Sequence, residues 1–153
     1  MITEDDIATM IKIQNRLDFV SISTIDPDGF PDTRILFNLR KMRGEAVLPL
    51  LPPDSQFTAY LGTNTSSSKI KHIRSNNRVC LYYCDYETWE GLTVKGTVEE
   101  VTDQEIRKAV WDESWEKYYY NGREGGDFSL LKFTPLHAKY YHGLKTMELD
   151  CTK

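Results

Sequence analysis

The residues best suited to chemistry stand together at Thr63-Asn64-Thr65-Ser66-Ser67-Ser68-Lys69. Hydroxyl side chains lead directly into a lysine. The apolar run QFTAYLGT precedes them, and SKIKHIRSN follows, with Ile70 and Ile73 at helical spacing. A strand that turns into a helix start is suited to anions. The N–H groups of the first turn lack intrahelical partners, and the helix dipole there favours negative charge. Lys69 lies just inside the helix, where a cation opposes that dipole and costs stability unless an anion is present. The competing reading is a solvated helix start, with serine caps and a surface lysine. The Walker pattern G-x-x-x-x-G-K-[ST] is absent, so the motif by itself specifies phosphate or carboxylate and no more.

Arg34 is the second candidate. It lies in the apolar run TRILF, where a charge needs a partner. A guanidinium holds phosphate with two parallel hydrogen bonds. The alternative is a surface arginine paired with Asp32.

Other reactive side chains point to no site. Cys80 and Cys84 share one strand-like run, about 13 Å apart at ~3.3 Å per residue, too far for a disulfide or a shared metal. His137 and His142 are five apart on a strand-like run and fall on opposite faces. His72 lies among basic residues, and a surface role is expected. Trp111 and Trp115, four apart on one predicted helix, share a face. They either cover a ligand edge from a dimer partner or pack as core or interface, the reading favoured. Tyr118, Tyr119 and Tyr120 read as rim packing. No Ser-His-Asp or Cys-His constellation is legible.

The elements that must position these residues follow from periodicity and turn signals. Thr3 caps a helix over 4–17. FVSISTID and FPDTRILFNLR form a hairpin around DPDG. KMRGEAVLPLLPPDS, with three prolines, reads as a loop with at most a short irregular strand. QFTAYLGT is a strand, and Ser66 or Ser67 caps the short helix after it. RVCLYYCDY and EGLTVKGTVEEV are strands. Thr102 to Glu105 opens a long helix that Asn121-Gly122 ends. DFSLLKFTPLHAKYYHG gives one or two strands broken at Pro135. Six or seven antiparallel strands and three helices fit a small barrel or sandwich with peripheral helices.

The bulk numbers narrow the function. The 153 residues suffice for one domain, 1–153, with a real core. A net charge of −4 argues against general nucleic-acid binding. There is no apolar run of spanning length. The acidic start MITEDDIATM lacks a signal peptide's pattern, and three cysteines fit a reducing compartment, so a cytoplasmic location is the expectation.

The order of motifs resembles the pyridoxamine-phosphate-oxidase-like, FMN-binding split-barrel family. Pro31-x-x-Arg34 lies on the second hairpin strand. T-N-x-x-S-x-K-x-x-x-I-x-x-N-x-x-V-x-L-x-Y runs from Thr63 to Tyr83, and V-x-G-x-V-E-x-V-x-D from Val94 to Asp103. Trp111, Trp115, the turn Gly122 to Asp127, and Pro135, Ala138, Tyr140 and Tyr141 are most similar to the family's small bacterial general stress proteins. The resemblance spans about residues 10 to 143. It implies a mainly β, six-stranded antiparallel split barrel with peripheral helices, forming a homodimer with FMN at the subunit interface. By that resemblance Arg34, Ser68 and Lys69 hold the FMN phosphate, Ile35 and Leu36 pass their backbone beneath the flavin, and Thr63 and Asn64 line the turn. FAD, a deazaflavin or haem are alternatives that related split barrels accept. The implied function is a flavin-dependent oxidoreductase of unknown substrate, or a stress-related carrier or sensor without turnover.

Departures from the family pattern bear on activity. Ser68 replaces a second basic residue. The glutamine that approaches the flavin falls near Gly91. The tyrosine and arginine that hold substrate phosphate in true oxidases fall near Ala109 and Glu113, and an acid repels phosphate. The C-terminal arginine-and-tryptophan segment of those oxidases is missing before Lys153. Vitamin B6 oxidation is therefore not expected.

Overall fold

The computed structural model describes residues 1–53 and 56–153; Asp54 and Ser55, the end of the proline-rich stretch expected to be a loop, lie outside them. Helix α1 (Glu4–Arg16) starts in a capping box: Thr3 Oγ1 accepts from the Asp6 N–H, and Asp6 accepts from the Thr3 N–H. Its buried face carries Met10, Ile13 and Gln14 and packs on the sheet. The sheet comprises β1 (Phe19–Ile25), β2 (Pro31–Phe37), β3 (Ala59–Asn64), β4 (Arg78–Asp85), β5 (Glu90–Glu100), β6 (Phe128–His142) and β7 (Lys145–Asp150). Six strands run in the order β2-β1-β4-β5-β6-β3, all antiparallel neighbours, and β7 pairs with the far half of β6. This is a curled half-barrel with peripheral helices, as expected. β7 had no counterpart in the sequence reading.

Two apolar clusters lie on opposite sides of β3 and β6. Leu61, Leu131 and Phe133 face the barrel core with Met10, Ile13, Ile22, Leu81, Leu92 and Val94. Tyr60, Phe128 and Leu130 face a second cluster with Leu39, Val47, Trp111, Trp115 and Tyr119. Strands buried on both faces read as continuous apolar runs, and Ala59-Tyr60-Leu61 and Leu130-Leu131 do so.

Three local expectations change. The second hairpin strand was expected to reach Arg40 but stops at Phe37. Asn38 is the reason. Its Oδ1 caps α2 (Leu39–Met42) through the Arg40 N–H, and its Nδ2 donates to the Gln14 and Leu17 carbonyls at the end of α1. The stretch after it is helical rather than looped: α2 is followed by α3 (Gly44–Val47) and a 3-10 turn over Leu48–Leu50. The long helix expected from Thr102 begins instead at an Asp103 cap, and α5 (Gln104–Val110) is only two turns. Trp111 is extended, and Asp112 caps a separate 3-10 segment over Glu113–Tyr118. The short helix α4 (Ser68–Ser75) forms as expected, capped by Ser67.

Pro135 does not break β6. The register shifts between Lys95 and Gly96, so Lys95 faces His137, Gly96 faces Pro135, and Leu136 is the extra residue of a bulge. The prolyl nitrogen has no N–H, and the bulge tolerates that lack. Gly96 is required there: a Cβ would lie 2.1 Å from the Thr134 carbonyl oxygen and 2.7 Å from the Phe133 ring. Gly96→Ala is expected to destabilise the protein by about 1–3 kcal/mol, the cost of overpacking against fixed backbone. Urea unfolding with unchanged slope checks this.

Candidate functional site

The ends of the sheet path, β2 and β3, frame a cleft of about 400 Å³. Ile35, Leu36 and Phe37 line it from β2, and Gly62, Thr63 and Asn64 from β3. Lys69 of α4 closes one end, and Trp115 and Tyr118 of the 3-10 segment, with Tyr119 just after it, form a wall. The cleft is thus apolar along most of its length and polar at one end, the arrangement common to small-molecule sites.

Lys69 is the charge at that end. Its side chain is buried, with the residue only 8 % exposed. The ammonium donates to Thr63 Oγ1 at 2.7 Å and to Ser67 Oγ at 2.8 Å. Among the described residues no carboxylate forms an ion pair with it. Burial pushes its pKa down, and the nearby Arg34 charge pushes the same way. A nearly buried cation solvated by hydroxyls alone leaves its charge uncompensated, and an anion is what such a group accepts. The donor set therefore fits a ligand with a phosphate at one end and a flat apolar body at the other.

Asp127 sets the shape of the turn before α4. Its Oδ2 accepts from Asn64 Nδ2 at 2.8 Å, its Oδ1 from the Ser66 N–H at 2.9 Å, and its carbonyl from the Thr65 N–H at 2.7 Å. The Asn64 side chain, with its other bond to the Tyr118 carbonyl, fastens the turn to the aromatic wall. Hydrogen bonds from the Asn64 amide and from Ser66 hold the Asp127 carboxyl below its ordinary value. In the sequence Asp127 stands out only as the end of a glycine turn. Its role depends on a partner 61 residues away along the chain.

The expected site residues divide by position. Ile35, Leu36, Thr63, Asn64 and Lys69 meet at the cleft. Ser68 is exposed at the start of α4, and Ser67, one residue earlier, is the hydroxyl on the Lys69 ammonium. Arg34 stands on the inner face of β2, beside the cleft but not among its lining. Its Nη1 donates to Thr24 Oγ1 at 2.7 Å, and its Nη2 pairs with Asp32 Oδ2 at 3.2 Å.

Two individual residue expectations change. His72 is buried rather than a surface residue, and its Nδ1 shares a 2.8 Å hydrogen bond with Thr24 Oγ1. Trp111 and Trp115 do not share a helical face, because α5 ends at Val110, before both. They nevertheless meet edge to face at 5.7 Å in the second core with Phe128 and Tyr119, and Trp115 also reaches the cleft. Near Gly91, where a glutamine was noted as missing, the Tyr141 ring lies over the backbone: a Cβ would meet it at 2.4 Å. Tyr141 is hydrogen-bonded to Tyr82.

Comparisons with known proteins agree with the fold. The family model described as pyridoxamine 5'-phosphate oxidase matches residues 5–142. A Clostridium acetobutylicum protein related to general stress protein 26 of Bacillus subtilis, of the pyridoxinephosphate oxidase family, superposes with a TM-score of 0.79 at 25% identity, over 97% of this chain and 96% of that one. A pyridoxamine 5'-phosphate oxidase-related, FMN-binding protein from Nostoc punctiforme gives 0.67 at 16% identity, over 95% and 87%. A haem-binding protein from Mycobacterium smegmatis gives 0.71 at 11% identity, over 99% and 60%. No curated protein sequence gives a significant match.

The uncompensated Lys69 charge makes a testable statement about stability. Its folded-state pKa lies below its unfolded value, so the unfolded chain binds more protons between the two. Stability therefore rises with pH through that window. Lys69→Met is expected to stabilise the ligand-free protein by on the order of 1 kcal/mol at neutral pH. The gain should shrink toward pH ~10.4, where the unfolded lysine also deprotonates. Thermal unfolding of both proteins across pH checks the sign. With its half-barrel fold and its match to the family model over most of its length, the chain belongs to the pyridoxamine 5'-phosphate oxidase family.

Proposed function

We propose that the protein binds FMN in the β2–β3 cleft and acts as a flavin-dependent oxidoreductase on a small molecule. The buried Lys69 ammonium, with hydroxyls but no carboxylate around it, carries this reading. It suits the phosphate, with Thr63 and Ser67 beside it. Ile35, Leu36 and Phe37 offer a flat apolar floor, and Trp115, Tyr118 and Tyr119 a wall, for the ring system. Bound FMN supplies hydride and electron transfer; the protein supplies orientation, charge and exclusion of water.

The cleft's outer lip supports a homodimer with the ligand between subunits. Phe19, Ile35 and Tyr118 remain about half exposed there, at 47, 63 and 48 %. Apolar side chains grouped around a binding cleft are the mark of an interaction surface. A net charge of −4 argues against a nucleic-acid partner. No helix among the described residues is long and apolar enough to cross a membrane. We place the protein's activity in the cytoplasm, where its free cysteines are stable.

One observation favours a second reading, an FMN carrier or sensor without turnover. Among the described residues no carboxylate, histidine or cysteine lines the cleft to serve as acid or base. Tyr119 is pushed up to about 12 by burial, with Asp127 adding to it, so it remains a donor. Proton handling in the first reading then falls to solvent or to the substrate itself.

Titration with FMN, FAD and riboflavin, followed by flavin fluorescence, tests the site. FMN should bind tighter than riboflavin. Lys69→Ala should cost ~1.5–3 kcal/mol of FMN affinity, about ten- to over a hundredfold, with riboflavin little changed. Equal affinities for FMN and riboflavin in the wild type reject the phosphate assignment. Oxidation of a reduced nicotinamide by the loaded protein then separates enzyme from carrier.

A further inference from the structure

The Arg34 guanidinium is gripped from two sides. On β1, Thr24 Oγ1 accepts from Nη1 at 2.7 Å and is itself tied to His72 Nδ1 at 2.8 Å. Thr24 is fully buried and His72 nearly so, which makes this grip a fixed one. On β2, Asp32 accepts twice: its carbonyl from Nη1 at 2.6 Å and its carboxylate from Nη2 at 3.2 Å. The Asp32 side chain is 53 % exposed, against 22 % for Arg34. The register places Asp32 opposite Thr24 and Arg34 opposite Ile22, with side chains on the inner face of β2 that Leu36 shares. Arg34 is near enough to Lys69 for their charges to repel. Asp32 is therefore the carboxylate that partly neutralises a cation pair at the polar end of the cleft, and it does so through the more exposed of the two contacts.

We infer that Asp32 is an internal competitor for Arg34, which holds the affinity of this end of the cleft for a phosphate monoester below what its donors would otherwise give. The inference rests on the phosphate reading of the Lys69 site. A phosphate that draws in Arg34 displaces the Nη2–carboxylate bond and meets the Asp32 charge. The Thr24–His72 grip survives, because it is buried. An exposed ion pair of this kind shifts an equilibrium by about 1.5- to fivefold. Asp32 thus acts as a specificity residue by opposing the ligand, a form of selectivity that needs no contact with it.

The test compares the wild type with Asp32→Asn, Thr24→Val, Thr24→Ser and Lys69→Met, titrated with FMN and riboflavin at low and high salt. Asp32→Asn should bind FMN about 1.5- to fivefold tighter with riboflavin unchanged, and the gain should fade with salt. Thr24→Val should weaken FMN binding, and Thr24→Ser should restore it. Unchanged or weaker FMN binding by Asp32→Asn overturns the inference, as does equal tightening of FMN and riboflavin. Lys69→Met separates the two levels. If it abolishes the preference for FMN while Asp32→Asn has no effect, only the competitor role falls. If Lys69→Met leaves the preference intact, the phosphate reading falls and takes this inference with it.

Discussion

The curled sheet leaves its two end strands, β2 and β3, unpaired with each other, and the properties of the cleft follow from that gap. A closed barrel would use those edges for hydrogen bonds and fill the interior with side chains. Here the gap exposes the apolar residues at the end of β2 beside the polar end of β3. The hydroxyl-rich turn and α4 then bring a lysine into the same opening. One side of the site is thus a sheet surface and the other a helix start, so a flat apolar body and an anion find their places together.

Holding the gap open requires rigidity on the β3 side. β6 supplies it by pairing with β3 along its first half while β5 pairs with it along nearly its whole length. Asp127, just before β6, then fastens the turn that follows β3 through both carboxylate oxygens and its backbone carbonyl. The aromatic cluster on the far face of β3 and β6 supports the same strands and supplies Trp115 and Tyr119 to the cleft wall. Edge-to-face packing of Trp111, Trp115, Tyr119 and Phe128 fixes these rings more tightly than area alone would.

The charges are arranged with the opposite economy. Lys69 is left with hydroxyl partners only, while Arg34 has an acid within reach. The two cations differ in how freely they meet a ligand: one is fixed and uncompensated, the other shared. A local cost in the folded protein, visible as a lysine in the first turn of a helix, becomes affinity when an anion is present.

The sequence by itself determined most of the elements. Alternation marked β1, turn signals marked the first hairpin, and the run of hydroxyls ahead of Ile70 and Ile73 marked a strand-turn-helix unit around Lys69. These signals are local, carried by residues within one or two turns of each other. Tertiary structure decided what depends on distant partners. Asn38 ended β2 because its amide reaches the carbonyls closing α1. Pro135 remained inside a strand because the register of β5 shifts opposite it. His72 turned inward because a buried threonine on β1 stands within hydrogen-bond reach. Asp127 became the clamp of the turn through strands far apart in the chain. Periodicity reports which face of an element is apolar; it carries no record of which polar group on another element lies opposite, and that is settled only when the sheet closes around its core.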